Sequence, residues 1–158
     1  MDIKIRKAEP DDTPLILELI KGLAEYERLS NMVVADEDTL REWIFEKGKA
    51  EVLFVMLDDV EAGFALYFNN FSTFLGRAGL YIEDLYVKPE FRGKGCGKAL
   101  FKEIVRIAVR EGCGRVEWWC LDWNEPSIDF YRKFGAESMD EWTVYRLAGD
   151  DLKKLAKE

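Results

Sequence analysis

Two short stretches of the chain carry residue types and spacings that could do chemistry. The first is RGKGCG, Arg92 to Gly97, set directly between an apolar strand-like run and an amphipathic helix. Glycines let successive backbone N–H groups turn into one concavity with no Cβ in the way, and a following helix N-terminus adds partial positive charge, so a diphosphate would fit. The common nucleotide cradles do not match. Counting back from Gly97-Lys98, the Walker pattern meets Arg92 at its first glycine and Ala99 at its metal-binding hydroxyl, and the Rossmann pattern meets Lys98 at its third glycine. A tight strand-to-helix turn with solvated lysines is the plainer reading. Lys94, Lys98, Lys102, Arg106 and Arg110 recur at every fourth position, as an exposed helix face does. The second stretch is Glu83-Asp84, two carboxylates inside the apolar run YIEDLYV. Strand alternation sends them to opposite faces, so at most one faces a given cleft, and both could instead be held by backbone N–H groups or basic side chains.

Composition narrows what these residues can do. The chain has no histidine, which excludes Ser-His-Asp, Cys-His and HExxH constellations; any proton transfer must use a carboxylate, tyrosine, cysteine, lysine or water. Cys96, Cys113 and Cys120 form no CxxC pair and suggest neither a disulfide framework nor a zinc knuckle, so reduced thiols and no metal are expected. A formal charge of −8 argues against nucleic acid or an anionic membrane as partner and suits a cationic one. The opening MDIKIRKAEPDD has neither a signal h-region nor a transit pattern, which predicts a soluble, cytoplasmic protein.

The elements that must position these stretches follow from periodicity. At 158 residues and 48% apolar content the chain suits one domain with a real core, and no repeat or linker divides it. A strand is expected near Ile3 to Arg6. Thr13 offers an N-cap with Pro14 at the first helical position, and Ile16, Leu19, Ile20 and Leu23 carry that helix to about Glu27. A second helix is expected over Asp38 to Glu46, then strands Val52 to Leu57 and Glu61 to Asn69 with a hairpin turn at the DD between them. Asn70 to Arg77 reads as a loop and Leu80 to Val87 as a strand. A long helix from Gly95 to Arg110, a strand Arg115 to Leu121, a helix Asn124 to Phe134 and a strand Glu141 to Leu147 complete the chain. Such an order predicts an α/β or α+β sandwich on a mixed sheet.

With these elements set out, the chain resembles a family. V-x-P-x-x-R-G-x-G-x-G before an amphipathic helix is similar to the acetyl-CoA pyrophosphate signature of the GCN5-related N-acetyltransferase (GNAT) superfamily. WNEPSIDFYRKFGA, Trp123 to Ala136, resembles that family's later Asn-to-Phe-Tyr-to-Gly helix, and with LAEYE and YIEDLYV the likeness spans nearly the whole chain. Within the superfamily it looks most like the spermidine/spermine (diamine) and thialysine acetyltransferase branch. The resemblance implies a single GNAT domain over residues 1–158: a bent mixed β-sheet flanked by α-helices, with acetyl-CoA in a cleft between splayed strands and no metal. It also implies that Leu85, Tyr86 and Val87 pair with the pantetheine arm and that Arg92, Gly93, Lys94, Gly95, Cys96, Gly97 and Lys98 form the diphosphate site. Asn124 and Lys133 would approach the cofactor from the later helix.

The implied reaction explains the remaining assignments. An alkyl amine of pKa about 10.4 is only about one part in 10³ neutral at pH 7, a cost of roughly 4 to 5 kcal/mol before it can attack. The family pattern gives the base role to Glu83, and because a free Glu carboxyl titrates near about 4.3, a raised pKa, a water relay or both are expected. After attack a thiolate must leave, and Tyr131 matches the family's acid position. Its plainer role is a half-buried aromatic beside Phe130 and Phe134. Cys96 lies inside the loop with no histidine to activate it, which disfavours an acyl-enzyme.

Tyr26 and Glu27, together with Glu83, match acceptor-binding positions and would suit a cationic amine, though a helix end packing on its neighbour explains the first two as well. The stretch Asn69 to Gly79 departs from the acidic, tryptophan-containing loop of the spermidine/spermine enzymes and is one residue longer. That weakens the case for polyamines in particular and leaves thialysine-like amines and diamines open. A peptide or protein N-acetyltransferase, or a CoA-binding sensor without turnover, would use the same cofactor site. Trp118, Trp119 and Trp123 are expected in core and interface packing, DDLKKLAKE as a short amphipathic helix, and the assembly, from the resemblance, as a homodimer.

Overall fold

The computed structural model describes residues 1–158, which divide into two compact units, Met1–Leu121 and Asp122–Glu158. The first unit holds one sheet of strands β1 (Ile3–Lys7), β2 (Glu51–Leu57), β3 (Val60–Ser72), β4 (Arg77–Val87) and β5 (Val116–Trp118), lying side by side in that order. The first four are antiparallel neighbours, whereas β5 runs parallel to β4 after a crossover through helix α3 (Cys96–Arg110). Helix α1 (Thr13–Tyr26) and the short α2 (Glu37–Arg41), which continues as a π turn over Glu42–Glu46, lie between β1 and β2 in sequence. This is the mixed, helix-flanked sheet expected from the sequence.

Why β2 reads as an unbroken apolar run is now visible. Val52 and Phe54 join Ile16 and Leu19 of α1, Ile44, Phe64 and Tyr86 in one buried cluster. The intervening Leu53, Val55 and Leu57 are buried too and, by alternation, belong to the opposite face, against which α3 sets Leu100, Ile104 and Ile107. With both faces covered, a strand has no position left for a polar residue. The β2–β3 turn is made by Asp58 and Asp59, both at positive φ (49° and 65°), the geometry of a tight two-residue hairpin.

Several boundaries differ from those the sequence predicts. Thr13 is the first residue of α1, not its cap, because a 3₁₀ turn over Pro10–Asp12 precedes it; its hydroxyl donates to the Pro10 carbonyl oxygen at 2.6 Å and Pro14 falls to the second position. Asn70 to Arg77 is not a loop. β3 runs to Ser72 and β4 starts at Arg77, pairing Asn70 with Gly79 and Phe71 with Ala78, so ladder hydrogen bonds overrule the polar composition. β5 is confined to Val116–Trp118. Of the three tryptophans there, Trp118 packs edge-on to Phe101 at 5.2 Å, whereas Trp119 and Trp123 are exposed.

The second unit contains helix α4 (Glu125–Arg132) and helix α5 (Gly149–Ala156), the amphipathic tail helix expected. The strand expected over Glu141 to Leu147 does not form: those residues are irregular, and Trp142, Val144, Tyr145 and Leu147 are exposed. Alternation alone does not make a strand; a partner ladder does, and no strand of this chain supplies one there.

Candidate active site

β4 supplies the centre of the site through an irregularity. Ile82 pairs with Tyr67 and Asp84 with Leu66, adjacent residues of β3, so Glu83 is one residue too many. This β-bulge interrupts the pleat and re-aims side chains. The expectation that Glu83 and Asp84 face opposite ways, which assumed a regular strand, is therefore corrected. Glu83 is exposed and Asp84 partly buried. Burial first, then the charges of Glu83 and Glu27, push the Asp84 carboxyl up to about 7. Glu27, the residue that caps the C-terminal end of α1, is itself raised by burial and by Glu83. Three carboxyls thus share one electrostatic neighbourhood, and none of them is in a salt bridge with a lysine or arginine. Sequence reasoning gave Asp84 no role; what draws it in is the bulge, which leaves no signature in residue types.

The raised Asp84 has a consequence for stability. Its folded-state pKa lies above the unfolded value of about 3.9, so the folded chain holds an extra proton between roughly pH 4 and pH 7. The stabilisation is full below that window and is lost as pH rises through about 7. Asp84→Asn removes the titration. The variant is expected to melt several degrees above the parent at pH 8, with the gap narrowing steadily toward pH 5 in a thermal melt series; a gap independent of pH would contradict the burial of this carboxyl.

Beside the carboxyls, β4 loses its outer neighbour. β5 pairs with Leu80, Tyr81 and Ile82 only, so from Glu83 to Val87 that edge of β4 carries no strand. Leu85, Tyr86 and Val87 lie along this unpaired edge. An exposed stretch of edge can pair with a linear amide chain as another strand would. The Val87 carbonyl oxygen also accepts a hydrogen bond from Arg92 Nε at 2.9 Å.

The glycine-rich loop follows. Gly93 and Gly95 sit at positive φ (76° and 90°), where an L side chain is strained, and Gly95 is the residue that starts α3. No side chain caps α3, so the first-turn amides of Cys96, Gly97 and Lys98 have no partner within the helix. Lys94 and Lys98 are exposed. A cradle of bare backbone, free amides and lysines fits a diphosphate. Cys96 points the other way: its side chain is buried, and burial raises its thiol pKa despite Lys94, leaving no nucleophile in the loop.

The second unit holds the remaining predicted residues on or beside α4. Asn124 is buried and its side-chain oxygen accepts from the Ser127 amide at 3.4 Å, capping the helix. Tyr131 packs edge-on to Phe130, ring centres 5.2 Å apart, and Lys133 is the residue that ends the helix.

Comparison with known proteins agrees with this geometry. Residues 18–136 match the acetyltransferase (GNAT) family, and the chain belongs to that family. It is 36% identical to a thialysine N-epsilon-acetyltransferase of Sus scrofa, across 98% of this chain and 97% of the relative. It is 32% identical to an L-ornithine N5-acetyltransferase of Arabidopsis thaliana, across 98% of this chain and 88% of the relative. Among solved structures, an integron cassette protein of V. cholerae superimposes with a TM-score of 0.82 at 29% identity, covering 100% of this chain and 99% of the other. The protein is an N-acetyltransferase, and GNAT enzymes draw the acetyl group from acetyl-CoA.

Proposed function

We propose that this enzyme moves the acetyl group of acetyl-CoA directly to a primary amine of a small cationic acceptor: a diamine, a polyamine or a thialysine-like amine. The observation that carries the reading is the group of Glu27, Glu83 and Asp84, in which burial and the neighbouring carboxylates raise the proton affinity of Glu27 and Asp84 and no lysine or arginine forms a salt bridge with any of the three. Such a group is costly while empty and is neutralised by an amine with more than one positive charge. The relatives named for ornithine and thialysine support the same class of acceptor.

In this reading Tyr26, Glu27 and Glu83 bind the acceptor, and Glu83, exposed on its bulge, takes the proton that the attacking ammonium must lose. Acetyl-CoA, when bound, supplies the acetyl group as an activated thioester. The unpaired edge at Leu85, Tyr86 and Val87 aligns its arm and the turn from Gly93 to Lys98 holds its diphosphate; for Asn124 and Lys133 the support is the family pattern alone. Tyr131 gives a proton to the departing sulfur.

The enzyme is further read as a one-domain, cytoplasmic homodimer without nucleic-acid or membrane partners. Supporting this are three free cysteines, a charge of −8, no helix long and apolar enough to cross a membrane, and exposed Trp142, Val144, Tyr145 and Leu147 of the kind that a second copy covers. Incubation with acetyl-CoA and a panel of thialysine, ornithine, lysine, diamines, spermidine, spermine and short peptides, read by mass spectrometry, tests the acceptor class. Acetylated small amines are the expected product; turnover of peptides alone would overturn the assignment.

A further inference from the structure

The family pattern gives Arg92 to the cofactor, and its guanidinium also meets groups of the protein itself. Its Nε donates to the Val87 carbonyl oxygen at 2.9 Å. Its Cζ lies 4.8 Å from the centre of the Tyr26 ring and 5.6 Å from the centre of the Tyr86 ring. The Tyr86 ring in turn rests on α1 at Gly22, where an added Cβ would come within 2.8 Å of the phenol oxygen and 3.0 Å of the ring. Gly22 and Tyr26 are one helical turn apart and share a face of α1. Arg92 thus lies over one ring of β4 and one of the last turn of α1.

We infer that Arg92 is a positioning residue for the acceptor end of the site: lying over the Tyr26 and Tyr86 rings, it ties the diphosphate loop to α1 and so fixes where α1 ends and Glu27 stands. This rests on the reading that Tyr26 and Glu27 receive the amine. The planar guanidinium lies over two rings while its Nε donates to a carbonyl; an ammonium is a compact point charge that cannot do both. Arg92→Lys keeps the charge that a diphosphate ligand needs and loses the tie.

The test separates the two roles. With Arg92→Lys, acetyl-CoA affinity measured by calorimetry is expected to stay within about threefold while KM for the amine rises about tenfold or more. On a Tyr26→Leu background, where the ring is already gone, Arg92→Lys is expected to add little further change in amine KM. A tenfold loss of acetyl-CoA affinity with amine KM unchanged would make Arg92 a diphosphate ligand and overturn the inference, as would additive effects of the two substitutions. Glu27→Gln distinguishes the underlying reading. If it raises amine KM and Arg92→Lys does not, the tie alone is wrong; if neither Glu27→Gln nor Tyr26→Leu moves amine KM, the acceptor reading fails and the inference with it.

Discussion

Replacing Glu83 with Gln is expected to lower kcat at pH 7 by about 10²- to 10⁴-fold while acetyl-CoA affinity changes little, the range for loss of a positioned general base. The substitution is nearly isosteric, and Glu83 is exposed on a bulge with no salt bridge, so the fold has no reason to respond. The defect should shrink as pH rises toward about 10, because the amine then loses its proton to solvent and the base is no longer required. A pH series of kcat/KM for both enzymes reads this directly. An unchanged rate at pH 7, with Asp84→Asn showing the loss instead, would move the base one residue along the strand.

Gly63→Ala is expected to be the most damaging small substitution to the fold. Gly63 faces Val87 across the β3–β4 ladder, and an added Cβ would lie 2.2 Å from the Tyr86 carbonyl oxygen and 2.9 Å from the Val87 Cα. Both are backbone atoms with no rotamer to turn away, so the strands must separate. Overpacking of this kind costs about 3 kcal/mol, and for a domain of this size each kcal/mol lowers Tm by roughly 2–4 °C. A Tm drop of about 6–12 °C is expected by calorimetry. Because the displaced residues end β4 just before the diphosphate loop, acetyl-CoA affinity should fall with it. A variant melting within a degree or two of the parent would show that the two strands yield where the ladder says they cannot.

How much of this was legible in the sequence depends on what each feature rests on. The turn at Arg92 to Gly97 was readable because positive φ demands glycine and helices demand starts, and both leave residue types behind. Strand β2 was readable because double-sided burial leaves an unbroken apolar run. The β-bulge was not, since Glu83 and Asp84 have the same types whether the strand is pleated or bulged; only the register with Leu66 and Tyr67 reveals it. The hairpin from Asn69 to Gly79 is hidden by polar residues that form ladder bonds all the same, and the alternation from Glu141 to Leu147 makes no strand because no strand of the sheet pairs with it. Arg92 shows the limit from the other side: a motif named its place correctly and could not say which partners its guanidinium meets.

The carboxyls of Glu27, Glu83 and Asp84 are expected to select a cationic acceptor. It is read in kcat/KM for two amines of equal length, 1,5-diaminopentane and 1-aminohexane, each at saturating acetyl-CoA. One carries a second charge and the other a methyl group in its place. At least a tenfold preference for the diamine is expected, shrinking with added salt as an interaction between partly exposed charges must. Equal rates, or a preference for the monoamine, would contradict it.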